Sequence, residues 1–236
     1  SFVYFDASKV SNVNALKTRI IEGLTTYSKS TDVNKFGGRF KYSKALNIID
    51  DIDTAITSNI TRVKIRRNLR AVLNSFAQYE LCFGNQFRIN QEGKNIKSTG
   101  FTIEGENEIV YITDIPNKDN NGNLDGSGLG VISIVREDSL RNTVVVVKSA
   151  GTVDYIHGEI ILTTVNITST VKENNVIEIQ AFPDSNDVVG LKDLYLDFSI
   201  SNTTINMVKD TITSGEQISG VGFKVTSSYS NGELTR

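Results

Sequence analysis

The spacing of apolar residues changes near residue 60, and this change constrains the fold more than any other feature. Before it, apolar residues recur every three or four positions, as they do in amphipathic helices. After it, short runs alternate apolar and polar residues and are separated by turn residues, which is typical of antiparallel strands. The chain is therefore predicted to be α+β, with a small α/β module followed by a larger β-rich domain.

The small module is predicted to span residues 1–73 in the order strand, helix, helix, strand. Residues 2–7 have the composition of a strand, and Ser11 or Asn12 is expected to cap the first helix. The apolar face of this helix consists of Val13, Leu16, Ile20, Leu24 and Tyr27.

The second helix of the module is predicted to begin at Ser43, which has the chemistry of an N-cap. A turn at Gly37-Gly38 precedes it, and a strand is expected from Ile60 onward. The apolar stripe of this helix is predicted to include Ala45, Ile48, Ile49, Ile52 and Ile56.

Residues 74–212 are predicted to form an antiparallel β-sandwich or barrel-like domain. The alternation is clearest from Leu194 to Ile200, where apolar and more polar side chains alternate without a break. The other alternating runs are Glu108–Thr113, Gly130–Val135, Thr143–Lys148, Glu159–Thr164 and Val176–Phe182.

Residues 213–236 are rich in Ser, Gly and Thr, and we predict an extended C-terminal arm. Val221, Phe223 and Val225 alternate within it, so they are candidate partner contacts that would form a strand on the sheet edge of a neighbour. An edge strand of the chain's own β-rich domain is the alternative.

The composition limits the chemistry that the chain can perform. The formal net charge is −2, whereas a nucleic-acid-binding domain usually has a basic excess, so we expect no nucleic-acid partner. Cys82 is the only cysteine, and the only histidine, His157, precedes Gly158 where a hairpin turn is predicted. We therefore expect that the chain has no enzymatic activity, cofactor, metal site or small-molecule substrate. The chain also contains no apolar run long enough for a membrane span.

Two acidic clusters have structural interpretations that are favoured over functional ones. The run from Asp119 to Asp125 alternates oxygen side chains as a calcium loop does, but the glycine and glutamate that such a loop needs are missing. A polar hairpin loop is favoured over a calcium site there. Asp50, Asp51 and Asp53 lie close together in sequence and indicate a solvated acidic face or an interface patch.

The densest basic stretch supplies three further candidate partner contacts. Arg62, Lys64 and Arg66 are predicted to share one face of a strand. This face has no interleaved aromatic side chains of the kind that bind single-stranded nucleic acid. A solvated face or an acidic protein partner is therefore favoured.

Six segments resemble baseplate proteins of contractile-tailed phages. The module resembles the baseplate J-like family in Val13-Asn-Ala-Leu-Lys-Thr-Arg-Ile-Ile, Phe36-Gly-Gly-Arg-Phe-Lys-Tyr-Ser-Lys-Ala-Leu and Ile60-Thr-Arg-Val-Lys-Ile. The segments similar to the β-rich region of T4-type wedge subunits are Phe83-Gly-Asn-Gln-Phe, Ile96-Lys-Ser-Thr-Gly-Phe and Gly151-Thr-Val-Asp-Tyr-Ile-His-Gly-Glu-Ile. Ser58-Asn59-Ile60 replaces a Pro-Gly-Val that is common in the wider family, which favours the T4-type branch.

The resemblance implies an architectural role in the virion tail baseplate. Such subunits have no catalytic residues, associate with themselves and with other baseplate wedge proteins, and close around a central hub into a ring that rearranges to trigger sheath contraction. By the same resemblance the chain is expected to be the C-terminal fragment of a longer protein, assembled in the host cytoplasm, with dimer contacts within the ring. The alternative is a carbohydrate-binding or adhesion β-sandwich module, although the chain has no Trp for such a site.

Overall fold

The computed structural model describes residues 1–211, 229–230 and 233–234, apart from the side chains of Thr164 and of residues 229–230 and 233–234. In this part of the chain the structure is mostly β, with two α-helices, α1 (Val13–Ser28) and α2 (Tyr42–Asp50). The strands are β1 (Phe2–Phe5), β2 (Arg39–Phe40), β3 (Ile56–Ile60), β4 (Ile65–Arg70), β5 (Phe76–Cys82), β6 (Lys97–Ser98), β7 (Phe101–Ile103), β8 (Glu106–Pro116), β9 (Leu129–Glu137), β10 (Thr143–Asp154), β11 (Glu159–Thr170), β12 (Val176–Ala181), β13 (Val188–Val189), β14 (Asn206–Lys209), β15 (Tyr229–Ser230) and β16 (Glu233–Leu234).

The small module is built on a three-stranded sheet in the order β14, β1, β3. β1 pairs antiparallel with β3 and parallel with β14, which returns to the module from the far end of the described chain. Helices α1 and α2 contact each other, and four of their six buried side chains share one core with the sheet, whereas Tyr27 and Ala45 pack into the larger core. The buried residues of this core are Val3, Phe5, Leu16, Ile20, Leu24, Ile49 and Ile205.

The prediction for α1 is confirmed by its cap and by its buried face. Asn12 precedes the helix with an extended backbone, and its Oδ1 accepts the N–H of Ala15 at 3.1 Å. Four of the five residues predicted to line the apolar face are buried, and Val13 in the first turn is half-buried.

The prediction for α2 is wrong at both ends. The helix begins at Tyr42, so Ser43 lies inside it, and the N–H of Tyr42 donates to Oδ1 of Asp187 at 2.7 Å. The helix ends at Asp50, and beyond it Asp53 forms a turn in which its carboxylate accepts the N–H of Ala55 at 2.9 Å. Ile56, predicted to continue the helical stripe, is instead the first residue of β3.

The larger sheet closes on itself and forms a β-barrel. Strands β7, β8, β9, β10 and β11 follow one another as antiparallel neighbours, and β11 pairs again with β7. β8 and β11 change partners along their length: the second half of β8 pairs with β9, whereas residues 167–170 of β11 pair with β7. The five other predicted runs lie in β8 to β12, with only Phe182 beyond a strand end.

Two fully buried polar side chains lie inside the barrel. The hydroxyl of Tyr155 donates to Oδ2 of Asp114 at 2.7 Å, and the backbone N–H of Ile96 donates to Oδ1 at 2.6 Å. The N–H of Lys94 donates to the main-chain oxygen of Asp114 at 3.0 Å. These bonds hold the segment before β6 against the barrel wall.

The strand predicted from Leu194 to Ile200 is wrong. Within this segment the only ladder contact is an isolated bridge between Tyr195 and Phe36. Leu196 and Phe198 pack against the barrel core, and Phe198 and Ile200 pack against the core of the small module. The alternation therefore reflects Leu196, Phe198 and Ile200, which are half-buried against the two cores without a partner strand for the backbone, whereas Leu194 is exposed.

The division at residues 73 and 212 stays a prediction. The pairing of β14 with β1 shows that the small module uses residues from the range assigned to the β-rich domain. Of the predicted arm, the structure describes a short antiparallel pair, β15 and β16. Val221, Phe223 and Val225 lie outside the described residues.

Candidate protein interface

The basic candidates lie where the chain passes from the small module to the barrel. Arg62, Lys64 and Arg66 are exposed, whereas Ile65 between them is buried. The predicted alternation of burial is therefore present. The predicted continuous strand is not, because residues 61–64 have no ladder: β3 ends opposite the first residue of β1, so no partner strand continues beyond it.

The three basic side chains differ in their contacts. Arg66 forms an ion pair with Glu178 at 3.0 Å, and Lys172 contacts the other oxygen of this carboxylate at 2.8 Å. The ammonium of Lys64 lies 5.2 Å from the ring centroid of Phe182, which is within cation–π range. Arg62 has no ion pair with another described residue. Of the three candidates, only Arg66 therefore has a carboxylate partner among the described residues.

These residues line a cleft of about 740 Å³ between the small module and the barrel. Two connecting segments, residues 61–68 and 188–199, form much of its lining. The ring of Tyr195 on its rim lies 4.2 Å, centroid to centroid, from that of Phe36, and both side chains are more than half exposed. Val189 and Leu194 extend this exposed apolar surface.

The aromatic pair was not among the residues predicted to contact a partner. One signal for it was present, since Tyr195 falls on the outward face of the alternating run and a large exposed ring next to a cleft is typical of an interface. Phe36 precedes two glycines and carried no such signal. Their contact depends on residues that are far apart in sequence.

The remaining polar clusters are occupied by local hydrogen bonds. Oδ1 of Asp119 accepts the N–H groups of Asn121 and Asn123 at 2.8 and 2.9 Å, as expected of a hairpin loop. The side-chain and backbone hydrogen bonds from Ser127 lower the pKa of Asp125. The described residues hold no cluster of three His, Cys, Asp or Glu side chains with metal-binding geometry.

The acidic cluster at the end of α2 is also used within the small module. Asp53 pairs with Arg19, and Asp50 accepts a hydrogen bond from the side-chain amide of Asn59 at 2.7 Å. The Ala55 N–H and then the Arg19 guanidinium lower the pKa of Asp53. These contacts attach α2 to α1 and β3.

His157 lies in the turn between β10 and β11, as predicted. Its Nδ1 is 2.8 Å from Oδ2 of Asp154, and the imidazole is 70% exposed. The Asp154 carboxylate raises the pKa of His157 through this contact. The following residue, Gly158, has a φ of +69°, which explains a glycine at this position.

Comparison with known proteins gives one match, which covers the N-terminal part of the chain. Residues 1–68 match the family model described as baseplate structural protein gp6, C-terminal domain III. A search of curated proteins found no match. The matched residues extend from β1 into β4 and include both helices. The match supports a structural protein of the phage tail baseplate, which suggests a non-enzymatic role and interaction with other baseplate proteins.

The match covers 68 of the 236 residues, so it supports a relationship of the small module to this family and gives no information about the barrel. The narrower predictions, a baseplate J-like family member and a C-terminal fragment, stay predictions. Among the described residues, no helix is both long and apolar enough to cross a membrane.

Proposed function

We propose that this chain is a structural subunit of a contractile phage tail baseplate. In this proposal it joins other wedge proteins by protein–protein contacts, the wedges close into a ring around the central hub, and the ring rearranges to trigger sheath contraction. The observation that carries the proposal is the match of residues 1–68 to a baseplate structural domain. The host cytoplasm is the place of assembly and the virion tail is the final location.

The proposed interface for an acidic partner is the basic rim of the cleft. Arg62 and Lys64 are exposed on a segment without ladder partners, next to an exposed aromatic pair. Interfaces are enriched in arginine and aromatic side chains, and charge on the rim governs the rate of association. Arg66 belongs to the same face, but its ion pair with Glu178 reduces the charge that it offers.

Co-assembly with neighbouring baseplate proteins tests the proposal. The double variant Arg62→Glu, Lys64→Glu is expected to slow wedge formation, measured by sedimentation of mixtures of the purified proteins at low salt. Arg141→Glu, in the hairpin loop between β9 and β10, is the matched control and is expected to assemble normally. A chain that stays monomeric with every neighbouring baseplate protein, and that binds glycans, would instead favour the carbohydrate-binding alternative.

The C-terminal segment is proposed to dock on a neighbouring copy through Val221, Phe223 and Val225. Deletion of residues 213–236 is expected to leave thermal unfolding nearly unchanged and to impair assembly. The physical reason is that a Ser- and Gly-rich segment loses much backbone entropy on ordering and buries few side chains on its own subunit. A truncated chain that melts many degrees lower, or that assembles normally, contradicts this proposal.

A further inference from the structure

A second exposed apolar surface lies at the end of the barrel where β8 passes to β9. Ile115, Leu129 and Ile156 are between 42% and 51% exposed. Ile115 pairs with Val131, and Leu129 lies two residues before Val131 on the same face of β9. Ile156, in the turn after β10, lies over Gly128, directly before Leu129. The three exposed side chains are therefore neighbours and form one aliphatic surface.

The charge around the aliphatic surface is negative. The segments next to it are residues 92–94, 115–131 and 154–157, and they contain four carboxylates and two ammonium groups, those of Glu92, Asp119, Asp125, Asp154, Lys94 and Lys118. Lys118 lies 4.0 Å from the carboxylate of Glu92. Asp119 and Asp125 are exposed, and neither forms an ion pair with another described residue. Two carboxylates of the loop thus have no cationic partner in the part of the chain that the structure describes.

The charge around the exposed pair of aromatic rings, Phe36 and Tyr195, is positive. The segments that carry these rings and one wall of the adjoining cleft are residues 35–41, 61–66 and 189–197. They contain seven Lys or Arg residues and two Asp residues. One of the seven, Arg66, is neutralised by Glu178, so a clear basic excess remains. These segments and the two rings form a basic aromatic surface, whose charge is opposite to that of the aliphatic surface.

The segment around Asn85 lies between the two surfaces and keeps them apart. The side-chain amide of Asn85 donates to the Val189 carbonyl oxygen at 2.8 Å and accepts the Val189 N–H at 2.9 Å. The backbone of Asn85 lies against Gly158, two residues after Ile156, and a Cβ on Gly158 would be 2.1 Å from the Asn85 carbonyl oxygen. One copy therefore cannot bring its own two surfaces together, whereas a second copy can present the aliphatic surface to the basic aromatic surface of the first.

We propose that the basic aromatic surface of one copy docks on the aliphatic surface of a second copy. The two rings pack on the three aliphatic side chains, and Arg62 and Lys64 face Asp119 and Asp125 at the rim. Apolar side chains in the middle and opposite charges at the rim are the usual arrangement of a specific interface. The inference deepens the proposed function, on which it rests in treating the basic rim as a protein interface, and it names a second copy of this chain as the acidic partner.

Sedimentation of the isolated chain at low salt measures this contact. The weight-average mass of the wild type is expected to rise with concentration, and to rise less at high salt because exposed charges are then screened. The variant Arg62→Glu, Lys64→Glu is expected to weaken self-association about tenfold or more. The variant Asp119→Lys, Asp125→Lys is expected to weaken it by a similar factor.

Mixing the two variants in equal amounts identifies the partner surface. The rim of one variant is acidic and the loop of the other is basic, so the unlike copies attract each other. The mixture is expected to recover the self-association of the wild type, although each variant alone associates weakly. The matched control is Arg141→Glu with Lys148→Glu, on the hairpin of β9 and β10, and it is expected to associate as the wild type does.

A second variant of the loop keeps its internal hydrogen bonds. Asp119 and Asp125 accept backbone N–H groups within the loop, so replacing them could alter its conformation. Asn120→Lys with Asn121→Lys adds two positive charges and leaves both carboxylates in place. This variant is also expected to associate weakly alone and to recover in the mixture. Thermal unfolding by circular dichroism checks that each variant is folded.

Three results would overturn the proposal: a wild-type chain that stays monomeric at every concentration, self-association that charge reversal leaves unchanged, or weak association that mixing does not recover. Each of them leaves the proposed function standing if Arg62→Glu, Lys64→Glu still slows co-assembly with other baseplate proteins. Conversely, a chain that associates with itself through these surfaces but joins no baseplate protein would retain this contact and lose the baseplate role.

Discussion

Changing Tyr155 to Phe removes one oxygen atom from the interior of the barrel and leaves the aromatic ring in place. In the structure this hydroxyl donates to a carboxylate oxygen of Asp114 at 2.7 Å, and both side chains are fully buried. The N–H of Ile96 donates to the other carboxylate oxygen. The substitution therefore retains the packing and removes one donor from a buried acid.

The magnitude follows from the charge on the acceptor. A hydrogen bond to a charged group contributes about 1.5–3 kcal/mol, and an unsatisfied buried charge costs at least as much. We expect Tyr155→Phe to lower the free energy of unfolding by about 2–3 kcal/mol at a pH above the raised pKa of Asp114, where the carboxylate is ionised. The effect should be smaller in acid, where Asp114 is protonated and accepts only a bond between neutral groups.

The pH dependence has a definite sign. Burial raises the pKa of Asp114 above its ordinary value, while the Tyr155 hydroxyl and the Ile96 N–H oppose this rise. Because the folded-state pKa is the higher one, the contribution of Asp114 to stability is fully present below the unfolded-state pKa and is lost as pH rises through the folded-state pKa. Removing the hydroxyl raises the folded-state pKa further and widens this window.

Urea unfolding, followed by circular dichroism at neutral and acidic pH, measures the effect. Asp114→Asn provides the second arm of a double-mutant cycle, in which the cost of Tyr155→Phe should be smaller than in the wild type. The same cost in both backgrounds and at both pH values would show that the hydroxyl does not act through the Asp114 charge.

The hairpin between β10 and β11 and the small module give the other predictions. His157→Ala is expected to leave the thermal midpoint nearly unchanged at neutral pH, because the imidazole is exposed and its side-chain hydrogen bond among the described residues is to Asp154. Since that carboxylate raises the pKa of His157, any loss of stability appears as the pH falls. Gly158→Ala should lower the free energy of unfolding by about 2 kcal/mol or more, because φ is +69° and a Cβ would lie 2.1 Å from the Asn85 carbonyl oxygen. Residues 1–73 alone should show no cooperative unfolding by circular dichroism, because they lack β14, and a sharp transition would contradict this.

Local signals made the first helix predictable and the second only partly so. The cap of α1 is one residue before the helix, and its apolar face repeats within 16 residues. The N-terminus of α2 is instead satisfied by Asp187, which lies 145 residues away from Tyr42 in sequence. No pattern around Ser43 contains that information, so the local cap preference pointed to the wrong residue.

Prediction of the strands was limited in a similar way, because an alternating pattern also occurs where the structure has no strand. Alternation predicted β8 to β12, and burial follows it most clearly in β12, where every second residue is buried. In β9 the residues from Ile132 to Val135 are all buried, so both of its faces are covered there. The same alternation from Leu194 to Ile200 arises from packing between two cores and is not accompanied by a ladder. Alternation of apolar and polar residues indicates that one side of a segment is buried. It does not show whether a partner strand pairs with the backbone of that segment.

The partner contacts were predictable as residue types but not as a surface. The charge of Arg62 and Lys64 was evident from sequence, whereas the cleft beside them depends on residues 188–199, which arrive after the whole barrel. The separate pairing of β4 with β12 and of β5 with β11 was likewise not evident from the sequence, because two strands joined by a five-residue loop are expected to form a hairpin.

The route of the chain also determines how the small module and the barrel can transmit movement. β14 pairs with β1 along four residues, and the N–H of Asp210 donates to the Phe5 carbonyl oxygen at 2.9 Å. The chain segment that forms the barrel therefore begins and ends at the small module. The barrel is therefore attached through two connections, residues 61–64 and the segment before β14. A single flexible linker would allow rotation about several axes, whereas two attachments restrict rotation to the axis that joins them. Both connections line the cleft, so a partner that binds its basic rim would act where the orientation of the barrel relative to the module is determined.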